Sequence, residues 1–181
     1  TNRTRLVDVS AHTGTDTTIE TGGYAPTIDR FVFIDAAGDN LIMVSPGGTI
    51  DTNNLTTFGD FRFKVDVYDD GTNVFAFVLY RDATGQWAVV KCDITDPGTP
   101  VNSQLIVPGS VGTGEGIGIV YDEGKDRILV AESRDEDGDF VNETGSIYAL
   151  GTNLGDPSSL VVDGVNFVIN EHVPGLELDF S

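Results

Sequence analysis

Lysine is nearly missing from this chain. Only Lys64, Lys91 and Lys125 occur, and 10 Lys and Arg face 29 Asp and Glu for a formal charge of −19. A surface of that sign repels nucleic acid and anionic membranes, which excludes both as expected partners. Cysteine is limited to Cys92, so no internal disulfide can form. Cys92 lies in the apolar stretch WAVVKC, where a small buried thiol is the expected outcome. Histidine is confined to His12 and His172, with no His-x-x-x-His spacing, no Cys-His pair and no Gly-x-Ser-x-Gly elbow. No apolar run is long enough to span a membrane. No initiator Met or signal peptide is visible in the sequence, which starts at Thr1, so a processed form or an excised piece is expected. Helical periodicity is absent too: no stretch of about eleven residues keeps apolar positions at i, i+3, i+4 and i+7.

What the chain has instead is short β-branched and aromatic runs punctuated by Gly, Asp, Asn and Pro. The expected strands are 31–35, 40–45, 62–68, 73–80, 86–93, 102–107, 116–121, 127–133, 145–150, 159–162, 165–170 and 176–180, with 4–9 and 17–21 in front. Hairpin turns are expected at Ala37–Asn40, Asp70–Asn73 and Glu123–Asp126. The run VFAFVLY at 74–80 is apolar on both faces, which predicts a strand buried on both sides.

The chain also repeats itself. VYDDGTNVFAFVLYRD (67–82) aligns without a gap on VYDEGKDRILVAESRD (120–135), an offset of 53 residues. Each segment runs through a further strand to an Asp-Pro turn, at Asp96-Pro97 and at Asp156-Pro157. A repeat of roughly 40–50 residues made of short strands is the pattern of a β-propeller blade. The last residues, FVINEHVPGLELDFS (167–181), share the strand–turn–strand layout of 31–45, and TRLVDVSAHTG (4–14) compares with 86–98. The two ends thus read as halves of one blade. The expectation is an all-β, single-domain, propeller-like fold of about four blades: 25–60, 61–113, 114–160, and 161–181 joined to 1–24.

GEGIGIVYDEGKDRILVAESRD (114–135) followed by GSIYAL (145–150) resembles blades of the NHL and SMP-30/gluconolactonase-like propellers. WAVVKCDITDPGTPV (87–101) is similar to the LVIVD-type repeat. The SMP-30 resemblance implies that Glu115, at the start of an inner strand, faces a central channel and binds a metal there. Asp29, Arg30, Asn170, Glu171 and His172 stand at comparable places. The alternative for Glu115 is an exposed acid in a Gly-rich turn.

The sharpest constellation is SRDEDGDFVNE (133–143). Asp135, Asp137 and Asp139 alternate around Gly138, with Ser133 and Glu143 flanking them. Calcium takes several oxygen ligands on a tight loop, and this spacing offers them. Neither register of the segment matches an EF-hand, and a solvated acidic hairpin tip is the other reading. N-x-[ST] sequons stand at Asn2, Asn54 and Asn142, all in expected loops, so glycan is a possible attachment. These features support an extracellular or cell-surface, non-enzymatic binding or structural module with calcium as its possible cofactor. Self-association through unpaired terminal strands 4–9 and 176–180 would be its route to assembly. A calcium-dependent lactonase or esterase centred on Glu115 is the alternative from another class, and a fragment of a larger propeller is the third.

Overall fold

The computed structural model describes residues 22–35, 40–58, 61–81, 87–106, 114–125, 127–134, 141–151 and 165–171. Twelve strands run through them: β1 (Gly22–Ala25), β2 (Arg30–Ile34), β3 (Asn40–Val44), β4 (Ile50–Asn54), β5 (Phe61–Asp69), β6 (Val74–Arg81), β7 (Trp87–Asp93), β8 (Val101–Ile106), β9 (Gly114–Asp122), β10 (Arg127–Arg134), β11 (Val141–Gly151) and β12 (Val165–Glu171). Helix among the described residues is limited to two single 3-10 turns, Thr56–Phe58 and Glu123–Lys125, and no helix there is long and apolar enough to cross a membrane. The protein is all-β.

The strands form three antiparallel sheets, β1-β2-β3-β4, β5-β6-β7-β8 and β9-β10-β11-β12. Each is a meander in which sequence neighbours pair. The Asp70–Asn73 turn shows how the sequence enforces one of these pairings. Asp70 Oδ1 accepts from the N–H groups of Thr72 (2.8 Å) and Asn73 (2.6 Å), and Gly71 takes a φ of 83°, which glycine adopts without a Cβ penalty. At the β7–β8 turn Asp96 Oδ1 accepts from Gly98 N–H at 3.1 Å and Oδ2 from the Thr99 hydroxyl at 2.9 Å.

The second sheet lies between the other two. Alternate residues of β6 point to opposite faces. Val74, Ala76, Val78 and Tyr80 join one core cluster, with Ala25, Val32, Ile34, Leu41, Met43 and Leu55 of the first sheet and its trailing loop. Phe77 and Leu79 join another, with Ile119, Ile128, Val130, Tyr148 and Leu150 of the third sheet. β7 divides in the same way, Ala88, Val90 and Cys92 to the first cluster and Trp87 and Val89 to the second. This is why VFAFVLY is apolar throughout. At about 1.5–3 kcal/mol for each large side chain fully withdrawn from water, the middle sheet is the main source of stability. β1 approaches β5 closely at Gly23, where an added Cβ would sit 3.1 Å from Val67 Cβ.

The propeller expectation is overturned. Among the described residues, one cluster joins the first and second sheets, another joins the second and third, and none draws on both the first and the third, so no ring closes. Blades related by rotation about an axis would bring opposite faces together at each junction. Here Phe77 and Val130, which correspond at the offset of 53 residues, share one cluster, and the corresponding rings of Tyr68 and Tyr121 lie 4.4 Å apart. A layer covered on both sides needs an all-apolar central strand whether or not a ring closes, so VFAFVLY could not distinguish the two.

The split blade fails as well. β12, expected to open a new blade, pairs with β11 as the fourth strand of the third sheet, Thr144 opposite Val168 and Ser146 opposite Asn166. Two strands, β1 (GGYA) and β4 (IDTNN), were not expected, and β4 carries no apolar alternation. The expected strands 4–9, 17–21, 159–162 and 176–180, and with them the terminal pairing, lie outside the described residues.

Candidate functional site

The polar side chains of greatest structural consequence sit where one sheet meets the next. At the hairpin end of the first junction, Asp69 closes β5 and reaches the β1–β2 turn. Its Oδ2 accepts from Thr27 N–H at 2.8 Å, its Oδ1 from the Thr27 hydroxyl at 2.5 Å and from Gly71 N–H at 2.9 Å. Burial pushes this carboxyl up, but the bonds from Thr27 and Gly71 outweigh it and hold Asp69 below the ordinary value. In the same turn Asp29 adopts a φ of 52°, a left-handed conformation that Asp tolerates better than most residues. Its Oδ1 accepts the Tyr24 hydroxyl at 2.6 Å, and that bond raises the Tyr24 pKa. Asp70 is lowered by the N–H and side-chain amide of Asn73 and by Thr72 N–H.

At the other edge of the same junction Asn53 of β4 and Asn102 of β8 exchange amide hydrogen bonds, 2.8 Å in one direction and 3.2 Å in the other. Asn53 is buried, and the Cys92 thiol beside it is pushed up to about 12 by burial, with the Asn53 contact opposing. A thiol held protonated in this way is no nucleophile.

The second junction has its own brace. Asp66 Oδ2 accepts from Tyr121 N–H of β9 at 2.7 Å while Oδ1 accepts from Val67 N–H at 3.0 Å. Burial raises the Asp66 carboxyl, and these two N–H groups only partly offset it. Tyr68, on the same strand, donates to Glu123 Oε1 at 3.2 Å.

The hairpin ends of the three sheets therefore gather Asp29, Asp69, Asp70, Asp96, Asp122 and Glu123. Two of the cations near them are committed locally, Arg30 to Asp51 at 3.1 Å and Arg127 to Asp122 at 2.8 Å. The result is an acidic end whose carboxylates hold turns and sheet contacts, and whose residual field favours cationic partners.

The residues singled out from the sequence are only partly within view. Asp135, Asp137 and Asp139 lie outside the described residues. Ser133 falls in β10, in register with Glu115 of β9 on one side and Gly145 of β11 on the other. Glu143 falls in β11 opposite Ile169. Glu115 thus sits within a paired strand, and the channel that the resemblance assigned to it belongs to the ring that does not form. Among the described residues no group of three or more His, Cys, Asp or Glu side chains is arranged to hold a metal. Of the sequons, Asn2 lies outside the described residues, Asn142 falls in β11, and Asn54 ends β4. Sequence reasoning missed Asp66, Asp69, Asn53 and Asn102. Their partners are 42 to 55 residues away, and no local motif marks them.

No protein-family model matches the chain, and no curated protein matches it either. The blade resemblance to NHL, SMP-30-like and LVIVD-type repeats therefore has no support beyond the short motifs that suggested it.

Proposed function

We propose that this protein is a non-enzymatic extracellular binding or structural module that presents its acidic hairpin end to cationic partners and takes calcium on the 133–143 segment. The observation that carries this reading is the employment of its polar side chains. Asp66, Asp69, Asn53 and Asn102 are engaged in holding layers together, which is the work of a scaffold. The acidic end supports the charge of the partner, and the alternation of Asp135, Asp137 and Asp139 supports the calcium loop.

The test is calorimetric titration of calcium into the chain, with thermal unfolding followed in parallel. Extracellular modules bind calcium at about 10⁻⁴–10⁻³ M, and binding to the folded state raises the melting temperature by mass action. The Asp135→Asn/Asp137→Asn/Asp139→Asn variant should lose both effects. No uptake, or equal uptake in the variant, removes the calcium loop. Lactone or ester hydrolysis that disappears with chelator and with Glu115→Gln would overturn the non-enzymatic reading itself.

A further inference from the structure

Among the three sequons, the side chains of only one, Asn54-Leu55-Thr56, are described, and their geometry suits modification. Among the described residues β4 is the last strand of its sheet and pairs on one side alone, with β3. Asn54 is its last residue and is exposed, as are Thr56 and Thr57 after it. Leu55 between them is 1% exposed and belongs to the first core cluster. The following turn is fixed by Phe58 N–H on Leu55 O at 3.0 Å, with the Phe58 ring packed edge-on against Tyr80 at 6.1 Å. The sequon is thereby pinned at its centre and displayed at its two chemical ends.

The side chains of those ends are already engaged. Asn54 Oδ1 accepts from Thr56 N–H at 3.1 Å and from the Thr56 hydroxyl at 2.5 Å. This local turn folds the hydroxyl onto the carboxamide oxygen. The donated hydroxyl polarises the amide, and Nδ2 is left facing away from it. Among the described residues Nδ2 donates to Asn40 Oδ1, at 3.1 Å in an exposed contact. Asn142 offers a different setting. It stands between Val141 and Glu143, both of which are in register with β12, inside a paired strand.

We propose that Asn54 is an acceptor for N-linked oligosaccharide. In the transfer, Asn54 Nδ2 forms a bond to the anomeric carbon of a lipid-linked oligosaccharide diphosphate. The bond from that carbon to the diphosphate oxygen breaks, the lipid diphosphate leaves with the electron pair, and one Nδ2 proton passes to a base of the transferase. The second Nδ2 proton remains, so the amide keeps a donor for Asn40.

This site rests on the extracellular placement proposed above, and the test separates the two. The full chain is secreted from a eukaryotic host as a fusion to a carrier bearing one well-used sequon, then treated with peptide-N-glycosidase in heavy-oxygen water. Peptide mass spectrometry should find heavy-labelled Asp at position 54 in most molecules. Thr56→Ala should abolish the label and Thr56→Ser reduce it, while circular dichroism of each variant stays that of the parent. An unmodified Asn54 beside an occupied carrier sequon, or label confined to Asn2 or Asn142, overturns the proposal. Because secretion is imposed by the host, such a failure says nothing against an extracellular location. That location fails separately, if the native protein is recovered only from inside cells.

Discussion

Between the first and second sheets the buried side chains are mostly aliphatic, among them Ala25, Val32, Leu41, Met43, Val74, Ala76, Val78, Ala88 and Val90, with Tyr80 the one buried ring among the described residues. Between the second and third, three large rings, Phe77, Trp87 and Tyr148, are buried among Leu79, Val89, Ile119, Ile128, Val130 and Leu150, and Tyr68, Phe75 and Tyr121 pack at the margin. The first junction carries a polar brace at each edge, Thr27–Asp69 and Asn53–Asn102; the second is crossed by Asp66 on Tyr121 N–H and by the Tyr68 hydroxyl on Glu123. Directional bonds at the margins of the first junction add to the alignment that its packing sets. Aromatic rings interlock by shape, as in the stacked pair Phe77–Tyr121 at 5.2 Å and 16°.

If the aromatic junction depends on shape, its weakest substitution is its largest ring. Trp87 is 1% exposed and lies under the Arg81 guanidinium at 5.0 Å. Trp87→Ala should cost about 3–5 kcal/mol in denaturant unfolding, the largest effect expected from any single change here. A loss near that of an exposed substitution would mean that the third sheet does not bear on the second.

The aliphatic junction should respond to polarity more than to volume. Asn53→Leu leaves the Asn102 amide without its partner and should cost about 1–3 kcal/mol. Asn53→Leu/Asn102→Leu should recover much of that loss, since two apolar groups satisfy each other. A double variant as unstable as the sum of its singles would show that the pair supplies no mutual alignment.

The smallest effects lie in the pH dependence, where the junctions differ in sign. Asp66 has its folded pKa raised above the reference of 3.8, so its contribution is fully present below 3.8 and is lost as pH rises through the folded value. Asp69 has its folded pKa lowered, so its contribution is present above 3.8 and is lost as pH falls through the folded value. Asp66→Asn should therefore remove a decline in stability on the alkaline side of 3.8, and Asp69→Asn a decline on the acid side. Denaturant melts across the acid range would read this, and changes of the same sign in both variants would contradict the assignment.

What could be read in the sequence follows the range of the interactions. Strands β6, β7, β9 and β10, and the turns at Asp70–Asn73 and Asp96–Thr99, are set by neighbours in sequence and were legible. Burial of β6 on both faces was legible too, because seven successive apolar residues admit no wet side. How the sheets are arranged was not, since a stack and a ring make the same demand on that strand. β4 was illegible for the opposite reason. IDTNN looks like a loop until Asn53 is seen to meet Asn102, 49 residues on. Of the candidate sites, Ser133 and Glu115 are brought into register in adjacent strands, whereas the aspartates between Arg134 and Val141 lie outside the described residues.

The middle sheet has a consequence for the clock of the molecule. Val78, Leu79, Ala88 and Val89 are at most 1% exposed in strands whose two hydrogen-bonding neighbours are both present. Their amides cannot meet solvent by shedding either flanking sheet alone, because the other still covers them. In deuterium exchange they should report the global opening of the protein, while amides of the edge strands β4 and β8 exchange through local openings of lower free energy. The same enclosure makes the middle strands the most exposed surface of any partly assembled chain. Folding is therefore safest when all three layers condense together, with no long-lived two-sheet stage.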